Sequence, residues 1–127
     1  MGAVLKEAAL KGANRQKAKL REAELKDADL RDAKLTDAHL RRADLENADF
    51  SGAQMADTAL RGSDLGKVNL SRADLRDTNM TDAVLYRTGF SGATLSGEAG
   101  LQQERLNTAC GDTRTKLPKG LTISSCN

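Results

Sequence analysis

The chain has 127 residues, and its 20 Lys and Arg nearly balance 18 Asp and Glu, for a formal charge of +2. Aromatics are 2% of the residues, with no Trp, which excludes a conventional core built on large rings and single-strand nucleic-acid binding by base stacking. No apolar run reaches the roughly 18 residues of a membrane span.

From the first residues the chain repeats with a period of five. The nineteen positions from Leu5 to Leu95 hold fourteen Leu, Phe50, Phe90, Met55, Met80 and one exception, Arg15. Two residues before each stands a small side chain: fourteen Ala, with Thr58, Thr78, Thr88, Ser63 and Val68 at the other places. Five residues advance an α-helix by about 500°, so the Leu row would spiral over every side of it. In a flat strand an odd period would send successive leucines to opposite faces. The pattern is met if each pentad makes a short extended side and then turns a corner, so that every Leu and Ala points inward along a coiled tube. Gly, Asp and Asn two residues after the central position (Gly12, Asp27, Asp32, Asn47, Gly52, Gly62, Gly92) suit such corners.

The pattern Ala-(Asp/Asn)-Leu-x-x, strictest at Ala28-Asp29-Leu30, Ala43-Asp44-Leu45, Ala48-Asp49-Phe50 and Ala73-Asp74-Leu75, resembles the pentapeptide repeat family. The resemblance implies an all-β fold, a right-handed quadrilateral β-helix with four pentads per coil. Nineteen pentads then make about five coils, a rod roughly 24 Å long at about 4.8 Å per coil. Residues 20 apart stack in columns. Arg15 falls in an otherwise apolar column of the first coil, where a guanidinium cannot sit unpaired. Either that coil is irregular or the side chain leaves through the N-terminal mouth. Thr58 stacks between Ala38 and Thr78, so the two hydroxyls bond each other or the backbone.

The period fails after Ser96, dividing the chain into a solenoid over 1–97 and a capping tail over 98–127. Ala99–Ala109 reads as a short helix laying Leu101, Leu106 and Ala109 on the last coil, with Gly111 at its C′ position. Pro118-Lys119-Gly120 reads as a turn. Such a cap shields the backbone edge of the last coil, and this tail is similar to those of bacterial pentapeptide repeat proteins. Cys110 and Cys126 bracket it. They form a structural disulfide, which would contribute about 3 kcal/mol for a loop of this length, or stay as buried free thiols. A redox or metal role has neither a Cys-x-x-Cys nor a nearby His to support it.

Sorting outward residues by side, the face around the Leu20 column is the basic one, with five bases and two acids. It gathers Lys19, Arg21, His39, Arg41, Arg42 and Arg61, with Arg21, Arg41 and Arg61 stacked as a ladder. The face around the Leu5 column carries four bases and six acids. The basic face suits an anionic partner, or serves solubility by charge. His39 has no nucleophile or orienting group for general-base work. Regular surface acids such as Asp74 and Asp77 do not make a catalytic pair, and the glycines fall at corners, not in a phosphate loop. We expect no enzyme, no cofactor and no metal site. A zinc site of four Cys and His ligands has too few residues to form.

The family resemblance implies a non-catalytic protein whose flat faces dock a protein partner. Its quinolone-resistance branch binds DNA gyrase by resembling B-form DNA, which requires strongly negative faces. The +2 charge and the basic face disfavour that alternative, and no groove-entering element supports direct nucleic-acid binding. A second copy stacking on the N-terminal coil is a further expectation. No charged-then-apolar leader opens the chain, which reads as cytoplasmic. Oxidised cysteines would instead indicate an exported protein whose leader was removed.

Overall fold

The computed structural model describes residues 2–97 and 100–126. Parallel bridges join residues 20 apart without interruption: Val4 to Glu24, Ala9 to Asp29, Asn14 to Lys34, Lys19 to His39, and so on up the rod to Asp74 with Thr94. Four bridges fall in every 20 residues, one per pentad, so each coil has four sides. Such bridges are too short to count as strands, yet together they form four parallel ladders.

One pentad shows why five residues suffice. Ala43 N–H closes the turn onto the Leu40 carbonyl at 3.1 Å. Asp44 N–H reaches down to Ala23 at 2.9 Å, while Leu45 and Asn47 donate upward to Asp64 and Gly66, both at 2.9 Å. The remaining donor, Glu46 N–H, is taken by the Asp44 side chain at 3.1 Å. Every backbone donor of the unit is thus satisfied. The same side-chain acceptance two residues on occurs at Asp29, Asp49, Asp64, Asn69, Asp74 and Asn79. The Asp or Asn of the motif therefore holds the corner as an Asx turn.

The corner itself demands the left-handed region. The second residue after each central position, from Glu7 to Gly92, has φ between +56° and +70°. Fourteen of these eighteen corners are not glycine. Each costs such a residue roughly 1–2 kcal/mol of backbone strain, least for Asp and Asn. The charged side chains there (Glu22, Arg42, Lys67, Arg72) point to solvent, and the ladders on both sides of the corner offset the strain.

The interior follows the columns. From Ala23 to Leu95 every central and every small inward residue is buried. A buried Leu contributes roughly 1.5–3 kcal/mol, so these columns carry the fold. The inward hydroxyls resolve onto backbone carbonyls: Thr58 donates to Leu35 at 2.9 Å, Thr78 to Leu75 at 3.0 Å, Thr88 to Leu65 at 2.7 Å and Ser63 to Leu60 at 2.7 Å. Of the two arrangements expected for Thr58 and Thr78, the structure adopts bonding to backbone. The first coil is regular around Arg15: Asn14 bridges Lys34, and Arg15 N–H donates to Lys34 at 2.8 Å. Its side chain is exposed, which discards the irregular coil and leaves the outward route. Leu5, Leu10 and Leu20 of that coil are only half-buried.

The tail departs from the expected helix. Helix α1 is one turn, Gln103–Leu106, without a side-chain cap at Gln102. Ala99, the expected start, lies outside the described residues. The helix cannot run to Ala109 because the ladder resumes first. Arg87 N–H bonds the Thr108 carbonyl at 2.7 Å, the bond that the coil corners from Glu7 to Asp77 all make, and Gly89 bridges Cys110, which needs an extended chain there. Gly111 is accordingly no helix C′ residue. It sits in strand β1, Cys110–Gly111, which pairs in parallel with β2, Ser124–Ser125. A side chain there would collide with Thr115 and Ile123, its Cβ lying 2.6 Å from the Thr115 hydroxyl.

The tail's register is the coil's, stretched by one and then two residues: Cys110 pairs with Gly89 and Lys116 with Thr94. Leu106 and Ala109 are buried, as the amphipathic reading expects, with Leu101, Leu117, Leu121 and Ile123 packed partly against the core. Leu121 N–H bonds Pro118 at 3.3 Å, closing the expected turn. Gln103 clasps the returning chain by giving a hydrogen bond to the Thr122 carbonyl and accepting one from its N–H. Cys110 and Cys126 form a disulfide across 16 residues of chain.

Two outcomes are expected. Leu40→Lys abolishes the cooperative thermal transition followed by circular dichroism, whereas His39→Lys at the adjacent outward position leaves it nearly unchanged. Equal behaviour of the two would refute the register. Reducing the disulfide exposes the amides from Thr113 to Ser125 to hydrogen exchange while the ladders below Leu95 stay protected. A general loss of protection would show that the tail holds the whole rod.

Candidate functional site

The repeat settles what stands on each side of the rod. In a pentad, the residue before the central position and the one after it project outward two apart, close enough to pair. Arg31 meets Asp29 in this way, through two guanidinium hydrogen bonds of 2.9 and 2.8 Å. Arg76 meets Asp74 at 2.8 and 2.7 Å. In the tail Arg114 reaches Asp112 at 3.2 Å.

These pairings move the acids. The Arg31 side chain, then its backbone N–H, draw Asp29 from 3.8 down to about 2. Asp74 is lowered chiefly by the Arg76 side chain, against partial desolvation. At Asp112 desolvation pushes upward, but the N–H groups of Gly92 and Arg114 and the Arg114 guanidinium outweigh it.

On the basic face no such pair forms at three successive rungs. The residues two before Arg21, Arg41 and Arg61 are Lys19, His39 and Ala59, bridged to one another in one ladder. None is an acid. Among the described residues, the salt bridges engage Lys26, Arg31, Arg76, Arg105 and Arg114 and no cation of this face. The arginine ladder therefore lacks the carboxylates that neutralise Arg31 and Arg76.

The structure divides the six sequence-predicted residues between two recesses. Lys19, Arg21 and His39 line one of about 450 Å³ together with Gly2 and Ala3. Arg41, Arg42 and Arg61 line a second, also about 450 Å³, with Gly62 and Asp82. Sequence reasoning passed over Gly62 except as a corner. In its column, two residues after the central position, stand Glu22, Arg42, Gly62 and Asp82, and the missing side chain at Gly62 opens the floor between the arginines. A Cβ there would lie 3.5 Å from Arg42 Cγ, an ordinary contact. Asp82 is the sole acid lining this recess, and its carboxylate faces the Arg105 guanidinium at 3.6 Å.

On the neighbouring side, Glu24, Asp44 and Asp64 stack as consecutive rungs. Among the described residues no group of three or more His, Cys, Asp or Glu is placed to hold a metal ion. No helix is long and apolar enough to cross a membrane.

The fold and the repeat signature match a model described as pentapeptide repeats, with 8 copies over residues 28–66 and 63–97. The chain belongs to the pentapeptide repeat family. Among solved structures it is similar to HetL from the cyanobacterium Nostoc sp. strain PCC 7120, a pentapeptide repeat protein involved in heterocyst differentiation regulation. The match has a TM-score of 0.67 and 26% identity, covering 97% of this chain and 61% of HetL. The chain thus spans about three fifths of that relative's length. It is also similar to QnrB1, a plasmid-mediated fluoroquinolone resistance protein, with a TM-score of 0.54 and 20% identity over 97% of this chain and 78% of the other. These likenesses give the coil its hand, a right-handed β-helix. No curated protein matches the sequence.

The acid–arginine pairs give a pH dependence with a definite sign. Asp29 and Asp74 have folded values below the unfolded 3.8, so their contribution is complete above about pH 5 and is lost as pH falls below 3.8, for Asp29 toward about 2. Denaturant midpoints measured from pH 7 to pH 2 are expected to stay flat and then drop. The drop should be shallower in a variant carrying Arg31→Gln and Arg76→Gln, because the carboxylates then titrate nearer their unfolded value.

Proposed function

We propose that this pentapeptide repeat protein is a non-catalytic interaction module, and that the face of Lys19, Arg21, His39, Arg41, Arg42 and Arg61 is where an anionic protein partner docks. The observation that carries this reading is the unmatched arginine ladder. Arg31 and Arg76, at the same position of their pentads on other sides, are each held by an acid two residues away. Here three in a row are left open, on a rigid ladder that costs little conformational entropy to present. A face needed only for solubility would be served equally well by paired charges of both signs.

The likeness to QnrB1 supports the shared fold, not a shared target. Standing in for DNA requires rows of negative charge, and this rod offers a basic face and a total charge of +2. Direct nucleic-acid binding is less well supported than a protein partner, because aromatics are 2% of the chain and nothing projects to enter a groove. The disulfide fits action in an oxidising compartment.

The test is affinity capture from source-cell lysate with three baits: the natural chain, a variant with Arg21, Arg41 and Arg61 changed to Glu, and a control with Lys34, Lys67 and Arg72 changed to Glu. The proposal expects a protein retained by the first and third baits and lost from the second. Loss from both variants alike would reduce the interaction to overall charge. Recovery of gyrase would promote the DNA-mimic reading.

A further inference from the structure

The recess of Arg41, Arg42, Arg61 and Gly62 has more specific chemistry than the face around it. We infer that it is a binding site for a phosphate monoester dianion, carried as a phosphoserine or phosphothreonine on the docking partner. This deepens the reading of the basic face and rests on it.

Three guanidinium-bearing side chains from two adjacent coils line this one depression. Arg41 and Arg61 occupy equivalent positions one coil apart, where the rungs are about 4.8 Å apart. Arg42 enters from the corner, its backbone held at φ +56°. No acid stands two residues before Arg41 or Arg61, and Asp82 on the rim faces Arg105 instead. The floor is Gly62, whose lack of a side chain leaves the depression open. Arginine forks match the terminal oxygens of a phosphate, and charge-assisted bonds of this kind are roughly twice as strong as neutral ones.

A monoester carries close to two charges at pH 7 and three terminal oxygens, which suits three converging cations better than a single carboxylate does. A diester has one charge and two such oxygens. The recess is one compact site, not a track of evenly spaced cations. It has no aromatic wall on which a base could stack, so a phosphorylated side chain fits it better than a nucleic-acid backbone. The other recess, with Lys19, Arg21 and His39, has one arginine and receives neighbouring acidic residues less selectively.

The test follows the arginine Nε–Hε resonances of the full chain while phenyl phosphate, a monoester, or dimethyl phosphate, a diester, is added. Saturable shifts at Arg41, Arg42 and Arg61 with the monoester, at least about tenfold weaker with the diester, are expected. Gly62→Asn fills the floor at a corner where Asn tolerates positive φ, without altering charge, and Arg61→Gln removes one fork. Each should weaken phenyl phosphate at least about tenfold, with thermal melts confirming that both variants fold. Linear shifts of equal size at the exposed Arg72 and Arg87 would overturn the inference, as would equal response to the two esters or unchanged affinity in both variants. Phosphatase treatment of the lysate separates this inference from the reading beneath it. A partner lost by the Arg21, Arg41 and Arg61 reversal yet still captured after phosphatase keeps the docking face and overturns the phosphate site. A partner lost in both supports them together. If the reversal loses nothing, the docking reading falls, and the phenyl phosphate titration still decides the recess by itself.

Discussion

The structure depends on a tube too narrow to hold more than one large and one small side chain per side. Leu, Phe or Met at the central position and Ala two residues earlier fill it, and stacking 20 residues apart turns these choices into columns. Because five residues exhaust each side, a corner must follow at once, and the left-handed φ at that corner is forced even upon Lys, Arg and Glu. The ladders offset that strain. No pentad would hold its shape alone, since an isolated bridge and a strained corner have nothing to bury against. Cooperativity between coils therefore carries the fold, as expected of a solenoid.

The same economy explains the motif's second letter. Four of the five backbone donors of a pentad are used by the turn and the ladders, and in eight of the nineteen pentads the fifth is met by an Asp or Asn side chain on the outer surface. That residue also faces the side chain two positions on, so one position serves both the corner and the surface charge pattern. Where it stays Asp beside Arg, as at Asp29 and Asp74, the surface is self-neutralised. Where it becomes Lys19, His39 and Ala59, the corner gives up a side-chain acceptor and the arginines are left open.

The C-terminal tail solves a different problem. An ideal coil would end in four open edges. The tail continues the spiral at Cys110 and Lys116 but in a stretched register, inserting one helical turn and a returning strand that do not repeat the pattern. Leu106 and Ala109 continue the interior while the Cys110–Cys126 bond ties the end of the chain down.

How much was legible beforehand follows from which interactions are local. A period of five with 18 of 19 apolar centres is enough to exclude a helix and a flat strand and to require a coiled tube, because side-chain direction follows from spacing; that the coil has four sides came from the family resemblance. The basic face was readable for the same reason, since a strict repeat converts residue number into position. The helix in the tail was not. Ala99–Ala109 has an amphipathic pattern, but the corner at Thr108 and the extended pairing of Cys110 with the coil below end the helix, and the ladder prevails over weak local propensity. The Asx role of the motif acid was equally hidden, because it depends on which backbone donor the stacked coils leave unused. By itself the sequence determined the coil, its columns and the side on which the arginines stand. Only the tertiary structure decided that Gly62 opens a recess among them and that the tail pairs with the last coil in a stretched register, since each depends on distances between residues on different turns of the rod.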